Sequence, residues 1–202
     1  MYIPKAFEVE DKEQIFKFLK KNSFGMLVSD HDRITASHLP FLIDQKDLKC
    51  YGHMAKSNQQ WKELDGQEVL IVFQGPHAYI SPQWYGEENT VPTWNYMAVH
   101  IYGTFIIQDQ EEQVIKQLES MVSTYESYFK TPWKADFSSD YNKNLVKHIV
   151  GFEILIKDIQ CKFKLGQNHP IGRRKNAIMG LRETKKHESV QIADAMEQTL
   201  EN

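Results

Sequence analysis

The stretch from residue 24 to residue 53 constrains the fold most, because its short apolar runs are split by polar turns with no helix-length segment between them. The runs are Gly25-Met26-Leu27-Val28, residues 34–43 and residues 48–53. His31-Asp32-Arg33 and Asp44-Gln45-Lys46-Asp47 separate them, and both are of hairpin length. Parallel neighbours need a long crossover, so this pattern predicts three antiparallel strands in a meander and argues against a sandwich of βαβ units.

Residues 11–21 precede it as a short amphipathic helix. Ile15, Phe18 and Leu19 share one face, acidic residues open the segment and Lys20-Lys21 close it, as the helix dipole favours. Residues 57–64 read as one helical segment after the third strand. Residues 68–75 (EVLIVFQG) are almost wholly apolar, as in a strand buried on both faces or nearly so. Residues 75–93 hold Pro76, Pro82, Trp84, Tyr85, Gly86 and Pro92 and read as a long connection, functional or ordered by a partner. Residues 95–107 resume a strand, with Gly103 a bulge or close-approach point.

Residues 111–129 are the longest helix candidate, stopped by Pro132, and residues 142–150 a shorter one. Residues 151–165 alternate like a half-exposed strand or a bent pair. Beyond Pro170 the chain is polar and helical, with Ile178 and Leu181 as one apolar set and Val190, Ile192, Ala193, Met196 and Leu200 as another. Residues 166–172 are the best hinge, which gives a domain over residues 1–168 with flanking helices and a helical tail over 169–202. About six strands in hairpin order with helices at the sides describe a mainly β fold, a small antiparallel barrel with Greek-key connections.

Composition narrows the function classes. A chain of 202 residues with 41% hydrophobic and 25% charged residues is that of a folded globular protein. Lys and Arg number 24 against 27 Asp and Glu, a net charge of −3 that argues against a broadly basic nucleic-acid coat. No run approaches the ~18 apolar residues of a membrane span, and Met1-Tyr2-Ile3-Pro4-Lys5 opens no signal peptide. Cys50 and Cys161 form no CxxC and suit a reducing cytoplasm, although two cysteines can still pair. The expectation is a soluble cytoplasmic protein.

Eight histidines are scattered without HxxxH, HxH or HExxH spacing, so no metal site is predicted. There is no GxSxG elbow, no GxGxxG and no Walker pattern. Two segments carry more. His53-Met54-Ala55-Lys56-Ser57-Asn58 lies where a strand ends and a helix begins. An ammonium, a hydroxyl and an amide on consecutive positions there make a phosphate seat or, more plainly, an N-cap beside a solvated lysine. Trp84, Tyr85, Trp94 and Tyr96 put four large aromatics within thirteen positions, a surface for a planar ligand, a subunit interface or a small satellite core. Arg173-Arg174-Lys175 and Lys185-Lys186 are the basic runs of the tail, diluted by Glu183, Glu188, Asp194, Glu197 and Glu201.

Five ordered blocks resemble a known family: Met1-Tyr2-Ile3-Pro4, His38-Leu39-Pro40-Phe41, Gly52-His53-Met54-Ala55, Gly75-Pro76-His77-Ala78-Tyr79-Ile80-Ser81-Pro82 and Val91-Pro92-Thr93-Trp94-Asn95-Tyr96. With Phe152-Glu153, Lys162-Phe163-Lys164-Leu165 and Gln167-Asn168, the match extends to about residue 170. It is similar to the PaiB family of bacterial negative transcriptional regulators of sporulation and degradative-enzyme genes. The family usually shows Gly where Cys161 stands and Ser where Gly166 stands.

The resemblance implies an FMN-binding split barrel, related to pyridoxamine-phosphate oxidases and flavin reductases, whose homodimer builds two flavin sites across its interface. It implies FMN as cofactor, with Lys56, Ser57 and Asn58 as phosphate contacts. It further implies His38 beside the isoalloxazine and Trp94, Asn95 and Tyr96 reaching the same pocket. Two function classes follow. One is a flavoprotein repressor whose ligand state influences transcription, with only weak or indirect DNA association given the charge. The other is an FMN-dependent oxidoreductase or a haem-handling enzyme, with His169 or His77 as an iron ligand. No residue stands out as a catalytic acid or base.

Overall fold

The computed structural model describes residues 1–200. The elements run α1 (Lys12–Lys21), β1 (Phe24–Asp30), β2 (Ile34–Pro40), β3 (Leu42–Asp44), β4 (Lys49–Ala55), β5 (Glu68–Ile80), β6 (Thr93–Gln108), α2 (Glu111–Glu126), α3 (Asp140–Val146), β7 (Ile149–Lys164), α4 (Ile171–Glu183) and α5 (His187–Gln198). The hydrogen-bonded strand order is β2-β1-β5-β6-β7-β4-β3. The pairs β1–β2, β1–β5, β3–β4 and β4–β7 are antiparallel. The chain forms two units, Phe16–Phe73 with His100–Ile159, and Met1–Ile15 with Gln74–Val99 and the chain from Gln160. Strands β5, β6 and β7 contribute residues to both.

In the larger unit the meander forms as its turns dictate. Asp30 pairs with Ile34 across the three-residue turn His31-Asp32-Arg33, and Asp44 Oδ1 accepts from the backbone N–H of Lys46 and Asp47 at 2.8 and 3.1 Å in the next. The core is aromatic. Phe41 meets Phe73 edge-on at 5.5 Å between centroids, and Phe105 stacks on Phe152 at 4.6 Å. Helix α2 is tied to it by Tyr125, whose hydroxyl donates to the Phe41 carbonyl at 3.0 Å. Gly103 is a close-approach point: a Cβ there would sit 2.5 Å from the Leu155 carbonyl oxygen.

Residues 34–43, read as one run, divide into β2 and β3 because Phe41 turns fully into the core. The helix expected over residues 57–64 is a single 3₁₀ turn, Gln59–Glu63. Its reason is Gln60, which is buried and whose Nε2 lies within hydrogen-bond distance of Leu27 O, Ser29 Oγ and Thr35 O. Anchoring that amide on β1 and β2 holds the segment short.

The smaller unit packs α4 on α5 through Ala177, Ile178, Leu181, Ile192, Ala193 and Met196, all buried. Arg182 bridges the pair, its Nη2 at 3.0 Å from Asp194 and 2.6 Å from Glu197. Trp84 lies so close over Gly180 that no larger residue fits there. The connection expected over residues 75–93 is shorter than its composition suggests, since β5 continues to Ile80 and a 3₁₀ turn covers Pro82–Tyr85. Buried positions run Val69, Ile71, Phe73 and Gly75, then Ala78 and Ile80. The alternation slips by one residue at Pro76-His77, so the proline sits where the strand changes phase.

Among the described residues, no helix is long and apolar enough to cross a membrane. Among the same residues, no group of three or more His, Cys, Asp or Glu gathers as a metal site.

Candidate functional site

In the larger unit β4 ends at Ala55, and the backbone at Lys56 is held from both sides. Its N–H donates to His148 O at 2.8 Å, and its carbonyl accepts from Trp61 Nε1 at 3.1 Å. The Lys56 ammonium donates to Lys147 O at 3.1 Å and, among the described residues, has no carboxylate partner. Ser57 is exposed, and among the described residues no hydrogen bond of its hydroxyl is found. Asn58 caps the 3₁₀ turn: Oδ1 accepts from Gln60 N–H at 2.9 Å, and Nδ2 donates to Ser37 Oγ at 2.9 Å. Both ends of the Asn58 amide are therefore committed to the fold. Lys56 and Ser57 retain free donors, and a cation beside a hydroxyl on a fixed backbone suits a phosphate.

His38 belongs to the same unit. It lies one residue from Ser37, and side chains alternate along a strand, so His38 projects from the face of β2 opposite to the Asn58 contact. There its ring stacks on Phe24 at 6.3 Å and 23°. Phe24 is 64% exposed and Ile34 73% exposed. In the β1–β2–β5 register they share an outward face with Met26, Val28, Ala36, Leu70 and Val72. This flat apolar surface fits either a planar ring or another protein surface.

Trp94, Asn95 and Tyr96 lie in the smaller unit. The half-exposed Trp94 ring is 5.9 Å from His77 and 6.0 Å from Tyr79, an aromatic trio on one face of β5 and β6. Asn95 points the other way, is 2% exposed, and donates from Nδ2 to Met196 Sδ at 3.3 Å. Tyr96 lies under the Lys162 ammonium, 5.3 Å from its centroid.

The basic runs of the tail do not make one positive face. Arg174 is buried and bonded to Thr199 O at 2.8 Å, Arg173 stacks on Tyr85, and Arg182 is paired with acids of α5. Burial lowers the pKa of His53, and also that of His100. Both keep a buried Nδ1 without a partner. Spacing gives no sign of these two half-buried rings, because histidine on a strand reads the same whichever face it takes.

Comparison with known proteins agrees with this architecture. Residues 1–158 match the family model described as "Putative FMN-binding domain". The chain is 40% identical over 205 residues to the protease synthase and sporulation protein PAI 2 of Bacillus subtilis, with 99% of this chain and 98% of that protein covered. Among solved structures, the FAD and heme binding protein from Mycobacterium smegmatis superposes with a TM-score of 0.63 at 11% identity, covering 84% of this chain and 79% of that one. The flavocytochrome Anf3 from Azotobacter vinelandii superposes at 0.59 and 12% identity, covering 80% and 72%. The fold is the mainly β split barrel of the FMN-binding type. Within that class, the chain belongs to the PaiB family.

Proposed function

We propose that this chain is a cytoplasmic, FMN-binding, homodimeric regulator of the PaiB type, acting negatively on sporulation and degradative-enzyme genes. The observation that carries the flavin part is Lys56, an ammonium on a fixed backbone with the exposed Ser57 hydroxyl beside it and, among the described residues, no carboxylate to neutralise it. Lys56 and Ser57 hold the FMN phosphate, Asn58 keeps their segment against β2, and His38 with Phe24 borders the ring. Bound FMN would supply reversible electron storage, and the protein's part is to bind and orient it.

The outward apolar face of β1, β2 and β5 supports the homodimer, since patches of this kind mark interaction sites. Regulation through a ligand rather than a DNA-reading surface fits the net charge of −3 and the internal pairing of the tail's arginines. Any promoter binding is weak and collapses with added salt.

A titration of the full chain with FMN, followed by the visible spectrum and by quenching of flavin fluorescence, tests the reading. Saturable quenching at micromolar protein is expected, and its absence overturns the flavin assignment. Rapid reduction of the bound flavin by NADH or NADPH, with turnover on an acceptor, would move the protein to the oxidoreductase class.

A further inference from the structure

The smaller unit contains a cavity of about 250 Å³ whose walls include none of Lys56, Ser57 and His38. Its walls divide by chemistry. Ile80, Val91, Pro92 and Met196 give it an apolar side, while Lys164, Arg173 and Arg174 give it a cationic one. Asn168 and His169, from the turn between β7 and α4, complete the polar part.

Each cation is fixed by a neutral contact. Arg173 lies flat on the Tyr85 ring with Cζ 3.8 Å from the centroid, which orients its planar fork. Its Nε is buried without a hydrogen bond. Its Nη1 is 3.7 Å from the half-exposed carboxylate of Glu87. Lys164 donates to Thr93 Oγ1 and to Trp94 O, both at 2.6 Å. Arg174 is 8% exposed, and its Nη2 is bonded to both oxygens of Thr199. Its Nε is also unpartnered and buried.

The local field is positive. Burial and the nearby Lys162 lower the pKa of Lys164, while burial, Arg173 and Lys164 lower that of His169. No side chain caps α4, so the positive end of its dipole adds to the field. Buried charges are ordinarily paired, yet among the described residues the one salt bridge made by these three cations is that of Arg173 to Glu87.

We propose that this cavity binds a small organic carboxylate. The carboxylate lies against the Lys164 ammonium and the Arg173 guanidinium, and a compact apolar or monocyclic body lies against Ile80, Val91, Pro92 and Met196. A guanidinium edge with an ammonium matches the two oxygens of a carboxylate. The volume is below the ~300–1,000 Å³ of drug-sized sites, too small for a flavin or a nucleotide. The apolar wall favours an organic acid over a bare inorganic anion.

Isothermal titration of the full-length protein with sodium benzoate and with butyrate, against neutral benzamide and inorganic phosphate at constant ionic strength, tests this. One saturable site per chain for at least one of the two acids is expected, with no binding of benzamide. Arg173→Met and Lys164→Gln should each weaken the acid at least tenfold, while Arg173→Met leaves the FMN titration unchanged. That last comparison separates this site from the flavin reading, which can fail without affecting it. Neither acid binding at millimolar concentration overturns the proposal. So does equal affinity for benzamide, or phosphate binding in place of both acids. If Arg173→Met does not fold, an unchanged acid affinity in folded Lys164→Gln is sufficient to overturn it.

Discussion

The Lys56 ammonium donates to the Lys147 carbonyl oxygen at 3.1 Å, a neutral partner and the one it has among the described residues. A charge-assisted hydrogen bond to a ligand is worth about 1.5–3 kcal/mol. Lys56→Ala should therefore weaken FMN by roughly 10- to 100-fold while leaving riboflavin, which has no phosphate, nearly unaffected. Parallel fluorescence titrations with the two flavins check this. Equal losses would remove Lys56 from the phosphate seat.

Gln60 ties the 3₁₀ turn to β1 and β2 through one buried amide with three acceptors in reach. Gln60→Leu strands those acceptors, and a buried unsatisfied polar group costs about 1–3 kcal/mol. Urea denaturation should show a lower midpoint with little change in slope. A midpoint equal to that of the parent would mean that water replaces the amide without cost.

Gly103 faces the Leu155 backbone, which cannot rotate aside as a side chain can. Overpacking of this kind costs about 1–3 kcal/mol. Gly103→Ala is expected to lower stability within that range, and a neutral effect in thermal melts would show that the two strands separate more easily than their spacing implies.

Burial lowers the pKa of His53 in the folded chain below its ordinary 6.5. Above about pH 7 the ring is neutral in both states, and its contribution to stability does not change. As pH falls through 6.5, the unfolded chain takes up the proton first, so stability drops until the folded pKa is passed. The urea midpoint should fall between pH 7 and pH 5, and His53→Gln should flatten that slope. An unaltered slope would assign the acid sensitivity to other groups.

Met26 and Val28 lie on the outward face that also carries Phe24 and Ile34. If a second copy covers this face, sedimentation should give twice the 23.7 kDa chain mass. Met26→Asp should then shift the protein to monomer. A monomeric parent at micromolar concentration would sink the dimer.

What could be read from sequence was what repeats locally. The hairpin around His31-Asp32-Arg33 and the helix after Asp11 were legible because alternation and capping act within a few residues. Asp11 Oδ1 does accept from Glu13 N–H at 2.8 Å. The continuation of β5 past Pro76 was hidden because proline is a breaker in isolation, and only the burial of Ala78 and Ile80 keeps the strand going. The helical segment of residues 57–64 is shorter than its pattern suggests, because its length is set by Gln60 bonding to residues 25 to 33 positions away. For the candidate site, Lys56, Ser57 and Asn58 could be singled out by adjacency. The structure commits the Asn58 amide to Ser37 and Gln60. The carboxylate cavity could not be seen at all, because Tyr85, Lys164 and Arg173 lie on three different elements and no spacing rule joins them.

Trp61 sits against this seat through its indole N–H on the Lys56 carbonyl. The protein thus carries an intrinsic fluorophore wired to the backbone that would hold the phosphate. Emission from that indole, resolved from Trp84, Trp94 and Trp133 by single Trp→Phe replacements, gives an optical gauge of occupancy that needs neither a coloured ligand nor an attached dye.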